Sequence, residues 1–102
     1  MAILHTVNKS PFERNALDSC LTFAAPGAAV LLIEDGVYGA LRDTAVAERV
    51  AAAMDRVRLY VLGPDLKARG FGDERIMAGV QVVDYGGFVD LAAEHDKVQA
   101  WL

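Results

Sequence analysis

Four short apolar runs rich in β-branched residues, AILHTV, AVLLIEDG, RLYVLG and VQVVDY, recur along the chain. A helix-like stretch separates each run from the next. The first two runs, apolar on both faces rather than alternating, read as buried strands, and the last two as a third and a fourth strand. Strands that alternate with helices imply an α/β layer fold. We therefore expect a three-layer α/β/α arrangement around a mainly parallel sheet of four to five strands.

The intervening segments carry local signals. After the first run, Ser10, Pro11 and Glu13 have capping-box spacing, with Pro at the first helical position. A helix is predicted from there to about Ala25, ended by Pro26-Gly27, with Ala16, Leu17, Cys20, Leu21 and Ala24 as its apolar stripe. VYGALRDT reads as a short helix or turn. Thr44 is placed to cap a helix over 45–54, with Val46, Val50 and Ala53 on one face. PDLKARG reads as one or two helical turns closed by Gly70, and FGDERIMAG as loop plus a short helix. Gly86-Gly87 open a further helix, FVDLAAEH, and KVQAWL alternates like a short fifth strand.

Composition narrows the function. At 102 residues one domain over 1–102 is expected. Hydrophobic residues make up 54% and mean hydropathy is +0.26, apolar for so small a domain. Part of that surface is expected to be covered by another chain. The formal net charge of −4 and the scattered basic residues argue against a nucleic-acid binder. No run reaches a membrane span, and MAILHTVNKS lacks the plan of a signal peptide. A single cysteine fits a reducing compartment, so a cytoplasmic location is expected.

Several chemistries lack their residues. There is no C-x-x-C, no Walker A sequence and no H-E-x-x-H, and RGFGDE lacks the third glycine of a dinucleotide fingerprint. No metal or organic cofactor is expected. His5 lies on the first strand and reads as a hydrogen-bonded structural histidine before a catalytic base. Asp35 and Asp84 each follow a strand, where a carboxylate either binds a ligand or caps a helix. Tyr38, Tyr85, Phe88 and Trp101 read as core or contact aromatics.

Cys20 is the one candidate nucleophile. A reactive thiol needs a helix N-terminus, a cation or a base beside it. With a helix from Ser10, Cys20 lies about 15 Å from that start, and no Lys, Arg or His stands three or four residues away. Its place in the apolar stripe favours a core filler. Asn15 as the true cap, or a cation from a partner, would change that balance.

A resemblance bears on the same residue. LHTVNKSP, LLIEDGVYGAL, YVLGPDLKARG, VVDYGGFVDL and the ending AWL, in this order, resemble the DsrH/TusB family. This is the smallest subunit type of the DsrE–DsrF–DsrH and TusB–TusC–TusD sulfur-relay complexes. The resemblance implies a compact α/β/α fold and assembly with DsrE-like and DsrF-like subunits, two copies of each chain per heterohexamer. It implies persulfide sulfur handed to a DsrC/TusE-type carrier protein, with no direct nucleic-acid contact. The main sulfur-carrying cysteine of such complexes belongs to the DsrE/TusD-type chain, and LGPDLKARG here contains none. A cysteine at the position of Cys20 is typical of DsrH-type chains. That points to dissimilatory sulfur oxidation, with tRNA wobble-uridine 2-thiolation and a purely structural subunit as alternatives. It makes Cys20 a candidate persulfide carrier, against the local reading.

Overall fold

The computed structural model describes residues 2–102. Five strands form one sheet: β1 Ile3–Val7, β2 Ala29–Leu32, β3 Arg58–Leu62, β4 Gln81–Val83 and β5 Lys97–Trp101. Their order is β4-β3-β2-β1-β5, and every neighbouring pair is parallel. The helices are α1 Ala16–Phe23, α2 Ala47–Ala53, α3 Gly63–Ala68 and α4 Tyr85–Glu94, with 3-10 segments at Glu34–Ala40 and Asp73–Arg75. The expected three-layer fold is the observed one.

The strand order, with crossover handedness, fixes which face each helix covers. The chain steps from β1 through β4 in one direction, and right-handed crossovers then put α1, α2 and α3 on one face. The step from β4 back past β1 to β5 runs the other way, so α4 lands on the opposite face. The two cores reflect this. On one face, Leu17, Leu21, Val50 and Leu66 of α1–α3 pack on Val7, Val30, Leu32, Leu59 and Val61. On the other, Leu91 of α4 packs on Leu4, Ala29, Leu31 and Tyr60.

One helix does not cover five strands. Val98 of β5 stands in register with Leu4, hence on the α4 face, and is 47% exposed. Tyr85 and Val89 on α4, Phe12, Phe23 and the terminal Leu102 are more exposed still. On the single chain these large hydrophobic side chains are left uncovered.

Helix starts depart from expectation. Ser10 does nucleate a turn: its Oγ accepts from Phe12 N at 3.2 Å, and its carbonyl accepts from Glu13 N and Arg14 N. The turn dies there, and α1 begins at Ala16 behind Asn15. A capping box satisfies donors of one turn only; packing decides whether the next turn continues. The restart sets Leu17, Cys20 and Leu21 onto the sheet. Likewise α2 starts at Ala47 rather than 45, and Thr44 contributes its carbonyl to Ala47 N instead of a side-chain cap.

Candidate functional site

Cys20 is the fifth residue of α1, about 6 Å along the helix from Ala16 at 1.5 Å per residue. The later helix start brings it nearer the positive helix end than a start at Ser10 would. Burial overrides that gain. Cys20 is 0% exposed within the core of α1–α3, and desolvation pushes its thiol up to about 12. No hydrogen bond to its sulfur is present among the described residues. In this conformation the thiol is protonated and closed to solvent.

His5 is also enclosed, at 1% exposure. Its Nδ1 lies 3.1 Å from Trp101 Nε1. An indole nitrogen only donates, so Nδ1 is the acceptor and the neutral ring carries its hydrogen on Nε2. Burial lowers the His5 pKa from its ordinary value, which keeps the ring neutral at pH 7. Phe23 stands edge-on to both rings, at 6.3 Å from His5 and 5.7 Å from Trp101 between centroids. His5 is mid-strand and not at the carboxyl ends, so its structural reading stands.

The carboxyl ends of the strands gather the acidic residues. Asp35 takes two bonds from Arg69, at 3.0 and 2.9 Å. Asp65 accepts from Glu34 N at 2.6 Å, holding the left-handed turn at Glu34. Asp84 Oδ1 accepts from Gly87 N at 2.8 Å and caps α4. Of the two meanings offered for these aspartates, Asp84 has the capping one and Asp35 is half of an ion pair. A groove of about 1180 Å³ opens between α3, the 71–74 segment and β4; its lining includes Lys67, Asp73, Glu74 and Asp84, and neither cysteine nor histidine. Among the described residues no group of His, Cys, Asp and Glu is arranged to hold a metal ion, and no helix is long and apolar enough to cross a membrane.

Sequence reasoning passed over Arg56. Its guanidinium donates to Ala24 O at 2.5 Å and also to Leu21 O, closing the carbonyl end of α1. Nothing near Arg56 in sequence announces this, since the carbonyls lie more than thirty residues away.

The family described as DsrH like protein matches residues 9–98. Protein TusB of Pectobacterium parmentieri is 40% identical over 99 residues, covering 97% of this chain and all of that one. The chain belongs to the DsrH/TusB family. TusB of Erwinia tasmaniensis is likewise 40% identical, and TusB of Buchnera aphidicola 32%, each matched over its whole length. Among solved structures, the ychN protein of E. coli superposes with a TM-score of 0.79 over 98% of both chains, at 17% identity. MTH1491 of Methanobacterium thermoautotrophicum gives 0.74 over 96% of this chain and 97% of that one, at 18% identity. These structures share the fold, and the family is shown by sequence.

Proposed function

We propose that this chain is a TusB-type subunit of a cytoplasmic sulfur-relay complex serving 2-thiolation of the tRNA wobble uridine. The TusB relatives support this branch over the dissimilatory sulfur oxidation that Cys20 first suggested. Under the same reading its companions are DsrE-like and DsrF-like chains, two copies of each per heterohexamer, with a DsrC/TusE-type carrier receiving the sulfur.

The observation that carries the chemical part is the enclosure of Cys20. Persulfide transfer requires a thiolate to attack the outer sulfur of a donor persulfide, and a second thiolate to remove it. A protonated thiol without solvent access does neither. The subunit therefore completes the assembly and presents surface, while the transferred sulfur rides on partner cysteines. The exposed Phe12, Tyr85, Val89 and Leu102 suit burial against companions.

The test is genetic and chemical together. Deleting the gene should abolish 2-thiouridine in hydrolysed tRNA, measured by nucleoside mass spectrometry, and a Cys20→Ala allele should restore it. Loss of thiouridine in the alanine strain, or a sulfane adduct on Cys20 of the assembled complex by intact mass, would make Cys20 a working carrier. Unchanged thiouridine in the deletion strain would exclude the tRNA branch.

A further inference from the structure

β5 is one edge of the sheet, and its outer side has no neighbouring strand among the described residues. It runs Lys97–Trp101 in unbroken register with β1. Edge strands are ordinarily guarded by proline, a bulge or an inward-pointing charge. β5 has neither proline nor bulge, and its one charged residue, Lys97, stands at its very start. Apolar side chains on both sides of this edge are left uncovered. Val98 is 47% exposed on the α4 face, and Phe23, packed on Trp101, is 67% exposed on the α1 face.

The residues of the strand define what fits beside it. Lys97, Gln99 and Trp101 share the α1 face with Val7, and Val98 and Ala100 share the α4 face with Leu4. A second β5 laid antiparallel about a two-fold axis pairs residues of one face, so the axis passes through a residue. The axis at Gln99 is the one that pairs the whole strand. It sets Lys97 against Trp101 of the other copy, Val98 against Ala100, and Gln99 against itself. Each match is favourable: an ammonium on an indole, two small apolar groups, and two carboxamides. An axis at Lys97 would instead face lysine with lysine.

The lysine also has a place to go. Asp18, Ser19, Thr22, Phe23 and Trp101 line a shallow cleft between α1 and β5. Asp18 binds Arg49 through Oδ1 at 3.1 Å, and its side chain is 71% exposed. Among the described residues Lys97 has no ion pair, and the neighbouring Asp96 is turned to Ala2 N at 2.9 Å. The Gln99 carboxamide reaches no further than Ala100 O of its own strand, at 3.4 Å.

We propose that two copies of this chain join through their β5 strands, antiparallel about Gln99, into one continuous sheet, with Lys97 of each copy seated in the cleft beside Trp101 of the other. Asp18 and the free ammonium choose this occupant, since an arbitrary strand would satisfy the backbone edge and leave both charges unmatched. The contact is isologous and closes at two copies. A β4 strand set on the β5 edge would be head-to-tail and open-ended, and only Gln81–Val83 could pair. The seam is narrow, so the dimer is weak. The pairing goes beyond the relay reading and does not rest on it.

The test uses the full chain by itself, from micromolar to millimolar concentration. Sedimentation velocity should move from the mass of one chain to that of two and stop there. Amide spectra over the same range should shift at 97–101 and at 18–23. Lys97→Glu turns an acid towards Asp18 and should weaken dimerisation about tenfold or more. Gln99→Lys, which sets like charges on the axis, should do the same, with circular dichroism confirming that both variants fold. A chain that stays single throughout, growth past two copies, unchanged dimerisation of Lys97→Glu, or shifts confined to Tyr85 and Val89 would overturn the proposal. The spectra of the unmodified chain decide even if neither variant folds.

Discussion

Trp101 and His5 are 96 residues apart, and the indole of the first donates to the imidazole of the second over 3.1 Å. The bond joins the edge strand β5 to β1 through side chains, beside the ladder in which Trp101 is the register partner of Val7. It also selects the tautomer of His5.

Trp101→Phe keeps an aromatic ring but removes the donor. It leaves a buried acceptor unpaired, so stability should fall by about 1–3 kcal/mol, read from urea unfolding. Combining it with His5→Phe should give much less than the sum of the single losses. Strict additivity would mean that the two rings are energetically separate.

Acid should act through the same pair. The folded pKa of His5 lies below its ordinary 6.5, because burial disfavours the charged ring. The unfolded chain then binds the proton first as pH falls. The stability tied to neutral His5 is fully present above about pH 6.5 and is lost as pH drops from there through the folded value. Melting temperature of the wild type should decline over that window relative to His5→Phe. Parallel curves for the two proteins would refute the assignment.

Cys20 should resist modification. With its thiol near 12, iodoacetamide labelling at pH 8 should be slow in the native chain and fast in denaturant, followed by mass. Cys20→Ala leaves a small cavity, and a loss of about 1–2 kcal/mol is expected. Since its folded pKa is raised above 9.0, the linked stability is intact below pH 9 and falls as pH rises towards 12. Rapid native labelling would show that the helix opens readily.

Arg56→Met keeps the aliphatic stem and removes both bonds to the end of α1. Charged hydrogen bonds of this kind contribute about 1.5–3 kcal/mol each in favourable sites. A loss of about 1.5 kcal/mol or more should appear in unfolding, with faster amide exchange at Ala24. Unchanged exchange there would contradict the capping role.

Gly36→Ala tests a close approach of two backbone segments. A Cβ at this position would collide with the carbonyl oxygen of Val7, which is backbone and cannot swing away. The expected loss is about 3 kcal/mol or more, or failure to fold, judged by circular dichroism. A stable, folded alanine variant would show that β1 can move.

The layers are legible in the sequence. Runs such as AVLL and LYVL are apolar at every position because both faces of a parallel sheet are covered there, and their pattern states this directly. Helix beginnings were less legible. The spacing at Ser10 and Glu13 is a local code for one turn, and nothing within that turn records that α1 must restart at Ala16 to face the sheet. Asp84 was readable as a cap for the opposite reason, since its partner, Gly87 N, is three residues away.

Sequence alone thus settled the α/β class, the alternation of strands and helices and, through its likeness to the DsrH/TusB family, the kinship of the chain. These depend on periodicity and on residue identity in order, which a linear string contains. Tertiary structure decided what the polar and sulfur atoms do: that Cys20 is sealed, that Arg56 closes a distant helix, and that Trp101 fixes the proton of His5. The reason is that solvent access and hydrogen-bond geometry belong to neighbours in space, and here those neighbours arrive from the far end of the chain.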